Sequence, residues 1–81
     1  MQKNLRALFG QRVKQLRIAS GLSQEAFADR CGFARSYMSR IERGTSNASL
    51  DAIETLARAL GVEAWQLFAS NQTENTEIVI V

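Results

Sequence analysis

At about 100° per residue, Arg35, Ser36, Ser39, Arg40 and Arg43 share one arc of a helix, while Ala34, Met38 and Ile41 take the opposite arc. Three guanidinium groups and two hydroxyls make the outer arc rich in hydrogen-bond donors, and it carries no acid. A guanidinium can bond O6 and N7 of guanine bidentately, and a serine hydroxyl can serve a base or a phosphate. The chemistry on offer is recognition of a nucleic acid. The competing reading is a face of solvated charge, but such faces ordinarily mix signs.

The residues needed for bond-breaking chemistry are scarce. Cys31 is the sole cysteine among 81 residues and there is no histidine. Neither an internal disulfide nor a zinc site of the usual ligand types can be assembled. A Cys31 nucleophile would lack the imidazole that normally activates it. No enzyme activity, metal or cofactor is expected.

The net charge of +2 conceals an asymmetry. Residues 1–48 hold nine cations (Lys3, Arg6, Arg12, Lys14, Arg17, Arg30, Arg35, Arg40, Arg43) against three anions (Glu25, Asp29, Glu42). Residues 49–81 hold Arg58 against Asp51, Glu54, Glu63, Glu74 and Glu77. One part of the chain can face a polyanion and the other cannot. Apolar runs fall far short of the ~20 residues that span a bilayer. Lys3, Arg6, Gln11, Arg12 and Lys14 interrupt every hydrophobic stretch up to Leu16, so no secretory leader is expected and the predicted location is cytoplasmic.

The elements that must position the donor arc follow from apolar spacing and the absence of proline. A first helix is predicted from about Lys3 to Ser20, with Leu5, Leu8, Phe9, Val13 and Leu16 on one face. Ser23 is a natural N-cap for a second, Gln24 to Cys31, with Ala26, Phe27 and Cys31 inward. A third runs from about Ala34 to Arg43, and Ser49 caps a fourth, Leu50 to Leu60, striped by Leu50, Ile53, Leu56, Ala57 and Leu60. A short fifth spans Glu63 to about Ala69. The second and third helices are joined through Gly32, with Ala28 small enough for their crossing and Phe27, Cys31, Phe33, Met38 and Ile41 beneath them. A pair of that kind leaves its second helix free to enter a major groove.

Residues 1–69 thus read as one all-α domain and 70–81 as a polar linker with a tail. The linker, Ser70 to Thr76, has no apolar face to bury. Ile78 to Val81 are all β-branched, which favours an extended tail that packs on its own domain or on a dimer mate.

From about Phe9 to Phe68 the chain resembles the Xre/Cro family of helix-turn-helix regulators, which includes phage repressors. The best-matched stretches are Leu22-Ser23-Gln24-Glu25-Ala26-Phe27-Ala28 and Ile41-Glu42-Arg43-Gly44. More narrowly, Arg35 to Gly44 followed by Asn47-Ala48-Ser49-Leu50 is similar to the controller proteins of restriction–modification systems. The resemblance implies a lambda-repressor-like five-helix bundle that dimerises through its last helices and binds a pseudo-palindromic operator in double-stranded DNA. It assigns base reading to Arg35, Ser36 and Arg40, and the donor arc adds Ser39. Backbone contacts fall to Ser23, Gln24, Tyr37, Arg43, Ser46 and Asn47. A helix N-terminus at Gln24 favours an anion on its own account, and Tyr37, on the border of the apolar face, can pack or reach a phosphate. Glu42 would be repelled by phosphate and costly to bury alone; the partner the resemblance supplies is Arg17.

Trp65 departs from the family pattern, which tends towards a polar residue there. It either folds back on the first or fourth helix or lies in a subunit interface, where aromatic residues are enriched. The leading expectation is a homodimeric transcriptional regulator. An antitoxin that represses its own operon and binds a toxin protein is the alternative, together with an interaction module that does not read DNA. Arg35 and Arg40 speak against that module.

Overall fold

The computed structural model describes residues 4–69, which form four α-helices and one 3-10 helix without strands. Three of the α-helices begin where a side-chain oxygen meets an orphan backbone N–H. Asn4 Oδ1 accepts from Ala7 N–H at 3.1 Å to open α1 (Leu5–Ala19). Ser23 Oγ accepts from Ala26 N–H at 3.0 Å to open α2 (Gln24–Cys31). Ser49 Oγ accepts from Ala52 N–H at 3.0 Å to open α4 (Leu50–Leu60). The remaining helix, α3 (Arg35–Arg43), starts without a side-chain cap.

Phe9, Val13, Phe27, Met38, Ile41, Leu56 and Leu67 build the core, with at least one residue from every helix. Each such side chain contributes roughly 1.5–3 kcal/mol by leaving water. The core is thus the main reason why helices of 8 and 9 residues persist, since isolated helices that short are marginal in water. The α1–α3 crossing brings backbones together at Gly10. A Cβ there would collide with the Ile41 carbonyl oxygen and lie 2.9 Å from that of Glu42.

The expected fifth α-helix is instead a 3-10 helix, Ala64–Phe68. It is too short to gain much from α-helical bonding, and its i→i+3 bonds are set by Glu63, whose carbonyl accepts from Gln66 N–H at 3.0 Å. The Glu63 N–H in turn donates to Gln66 Oε1 at 2.8 Å. Residues three apart eclipse in such a helix. Leu67 is fully buried, while Trp65 and Phe68, three apart, are 68% and 41% exposed.

Several residues expected inside lie outside. Leu5 and Leu50, the first residues of α1 and α4, are 62% and 84% exposed. Ala26 is exposed since Phe27 and Ala28 fix the buried arc of α2, and Ala34 is an exposed N-cap, not part of the inner face of α3. The predicted boundary at residue 69, the linker and the extended Ile78–Val81 tail concern residues 70–81, outside the described residues, as is the predicted helix start at Lys3.

Candidate nucleic-acid interface

Glu42 is the one acid of α3, and the fold turns it inward. Arg17 Nε donates to Glu42 Oε2 at 2.7 Å and Arg17 Nη2 to Oε1 at 3.0 Å. The third nitrogen, Nη1, donates to the Leu22 carbonyl at 2.9 Å, and Gln24 Nε2 donates to Glu42 Oε1 at 3.1 Å. Bidentate, charge-assisted bonds of this length are the strong kind. The Arg17–Glu42 pair thereby ties together α1, the loop before α2, the first residue of α2 and α3. The outer face of α3 is left without a negative charge.

On that face Arg35, Ser36, Arg40 and Arg43 are exposed and Ser39 is half-buried, while Met38 and Ile41 on the other side are buried. The two cations of the last turn are each held by a neighbour about one turn back. Arg43 Nη1 donates to Ser39 Oγ, and the Arg40 guanidinium stands over the Tyr37 ring, 5.8 Å from its centroid. Tyr37, half-buried, meets Phe33 edge-on at 5.0 Å with an interplanar angle of 73°.

Gly44 closes α3 with φ +77°, and its N–H donates to the Ile41 carbonyl at 3.0 Å. A side chain there would be doubly penalised, because a Cβ would sit 2.8 Å from Ala7 Cα and φ is in the left-handed region. The following loop carries half-buried Ser46 and exposed Asn47 past the C-terminal end of α3. Its start is fixed by Thr45, whose N–H and Oγ1 both donate to the Arg40 carbonyl, at 3.0 and 3.3 Å.

Ser23 and Gln24 stand at the start of α2, the first exposed and engaged as a cap, the second half-buried. Gln24 was expected to face phosphate, and one of its amide hydrogens is already committed to Glu42. A primary amide has a second donor hydrogen, so both roles can coexist. The 3-10 helix that carries Trp65 is fastened to α1 by Arg12, whose Nε donates to the Gln66 carbonyl at 2.9 Å, and by stacking of Phe9 on Phe68 at 5.0 Å.

Sequence reasoning missed Gly10, the aromatic pair Phe33–Tyr37 and the Arg12 strap. For Gly10 a signal existed: a glycine inside a helical pattern marks close approach of another backbone. Among the described residues no group of three or more Cys, Asp or Glu is arranged to hold a metal ion, and no helix is long and apolar enough to cross a membrane.

Residues 8–66 match a family model described as a helix-turn-helix domain. The chain is 47% identical over 78 residues to control protein C.BamHI of Bacillus amyloliquefaciens, covering 95% of this chain and 96% of that one. Among solved structures, the restriction-modification controller protein C.AhdI from Aeromonas hydrophila superposes with a TM-score of 0.76 at 49% identity, over 78% of this chain and 96% of that chain. The biofilm master regulator SinR, solved in complex with DNA, superposes with a TM-score of 0.71 at 37% identity, over 75% and 98%. The match extends through α2, α3 and the elements that brace them, and the chain belongs to the helix-turn-helix domain family.

Proposed function

We propose that this chain is a DNA-binding transcriptional regulator of the restriction–modification controller type, acting as a homodimer on a pseudo-palindromic operator. The observation that carries the reading is the outer arc of α3, where Arg35, Ser36 and Arg40 are exposed and the helix's only acid is turned inward and neutralised by Arg17. With α3 in the major groove, Arg35, Ser36, Ser39 and Arg40 read bases. Ser23, Gln24, Arg43, Ser46 and Asn47 follow the backbone, with Tyr37 at the border of the groove. The similarity to C.BamHI, C.AhdI and DNA-bound SinR supports this reading.

In this reading α4 and the 3-10 helix form the twofold interface, with Trp65 as its aromatic anchor. Two recognition helices related by a dyad require half-site centres about one turn, ~34 Å or ~10 bp, apart. The antitoxin alternative gains no support from these relatives, whose names are those of control proteins and regulators. Selection of bound sequences from a random DNA pool tests the proposal directly: a dyad-symmetric site at that spacing is expected, and recovery of no enriched sequence overturns it.

A further inference from the structure

Arg40 and Tyr37 stand three residues apart on α3, and their contact has a direction that matters for base reading. Long side chains on a helix lean towards its N-terminus, which carries the Arg40 guanidinium back over the Tyr37 ring at 5.8 Å. That is within the ~6 Å over which a cation is attracted to an aromatic face. The guanidinium has five N–H donors in its plane, more than contact with one ring can engage. The arginine therefore keeps donors with which to bond guanine. The ring is itself braced: Phe33, in the turn between α2 and α3, meets it edge-on at 5.0 Å. The contacts run from the inter-helix turn through Phe33 and Tyr37 to Arg40. Arg43, by contrast, is held through a hydroxyl by Ser39.

Resting on the reading of Arg40 as a base-contacting residue, we propose that Tyr37 is a specificity-determining positioning residue, whose ring, not its hydroxyl, aims the Arg40 guanidinium at its base pair. An unsupported arginine samples many rotamers, and ordering them costs free energy on binding. The ring reduces that cost only when Arg40 is in reading position. The benefit falls on discrimination at one base pair and not on affinity for DNA in general.

The test uses the full chain and the selected operator. Affinities are measured for the operator, for variants at each base pair and for random DNA, with wild type, Tyr37→Phe, Tyr37→Leu, Arg40→Ala and the Tyr37→Leu/Arg40→Ala double variant. Tyr37→Phe is expected to keep discrimination at the base pair that Arg40→Ala affects. Tyr37→Leu should lose about two- to fivefold of it per half-site, as an exposed cation–π contact implies, with random-DNA affinity equal to that of Tyr37→Phe, which lacks the same hydroxyl. In the Arg40→Ala background Tyr37→Leu should have no further effect on discrimination.

Equal losses for Tyr37→Phe and Tyr37→Leu, or additive losses in the double variant, would overturn the proposal. If Arg40→Ala weakens all sequences alike, base reading by Arg40 fails and the proposal with it. If Arg40→Ala relaxes one base pair and Tyr37→Leu does not, only the role of Tyr37 fails. A readout without a substituted ring guards against misfolding: in the wild-type complex, Arg40 side-chain protons should remain shifted upfield by the ring current, and their return to ordinary positions on binding would also overturn it.

Discussion

Arg17 and Glu42 meet as a bidentate ion pair at 2.7 and 3.0 Å across the α1–α3 crossing, both nearly withdrawn from solvent. A buried pair is little more stable than well-packed apolar residues, yet removal of one partner strands a charge and costs about 3–5 kcal/mol. Arg17→Met or Glu42→Leu alone is therefore expected to remove a large share of a stability that lies around 5–15 kcal/mol for a domain. The Arg17→Met/Glu42→Leu double variant should lose clearly less than the sum of the single changes. Urea denaturation of the four proteins checks this, and additive losses would show that the pair is not coupled.

The same crossing makes an unusual demand on Gly10. In an exposed helix interior, Gly→Ala stabilises by about 1 kcal/mol. Here the new methyl would collide with the Ile41 carbonyl oxygen and crowd that of Glu42, and both are backbone atoms. Overpacking of this kind costs about 1–3 kcal/mol, so Gly10→Ala should lower the denaturation midpoint. A raised midpoint would mean that the α1–α3 contact opens without cost.

How far the sequence foretells this arrangement depends on the range of the interaction. Apolar spacing places α1 to α4 because a helix announces itself within a few residues, and Ser23 and Ser49 mark starts through bonds to N–H groups three residues on. The outward arginines of α3 are legible for the same reason. Trp65 and Phe68 are not: their common exposure depends on a 3-10 geometry fixed by Glu63 and Gln66 and by docking of Leu67. Nor is Gly10 legible in detail, because its partners are 31 and 32 positions away and belong to the backbone, which carries no sequence signal.

Trp65 gives a prediction for assembly. A tryptophan left 68% exposed on the outer side of the 3-10 helix is the kind of residue that anchors an interface. Trp65→Ala is expected to weaken the homodimer at micromolar concentration while leaving the fold intact, because Leu67 and not Trp65 fills the core. Sedimentation velocity compared with wild type decides it, and an unchanged distribution removes Trp65 from the interface.

Cys31 gives a pH dependence. Burial pushes its thiol pKa up, partly opposed by the Arg30 charge. With the folded-state value raised, any stability advantage over a non-ionising residue is full below the ordinary thiol range and shrinks as pH rises through it, because the unfolded chain ionises first. The stability difference between wild type and Cys31→Ala should therefore fall from neutral to alkaline pH. The folded protein should also react more slowly with a disulfide reagent than the unfolded chain, since the thiolate is the nucleophile. A pH-independent difference with equal reactivity would contradict both expectations.

The arginines of α3 separate base reading from backbone holding. Arg35 opens the helix and Arg40 lies on the same outer arc, whereas Arg43 is the last helical residue, beside Gly44 and bonded to Ser39. A cation at the helix exit is placed to meet the backbone, where contacts carry no sequence information. Arg43→Ala should weaken specific and random DNA alike and make the salt dependence shallower by about one unit per phosphate contact. Arg35→Ala or Arg40→Ala should cost about 1–3 kcal/mol per half-site and relax preference at one base pair. Titrations of operator, variant sites and random DNA at several salt concentrations give both quantities. Should Arg35→Ala and Arg40→Ala reduce operator and random affinity by the same factor, the arc is an electrostatic clamp and the sequence is read elsewhere.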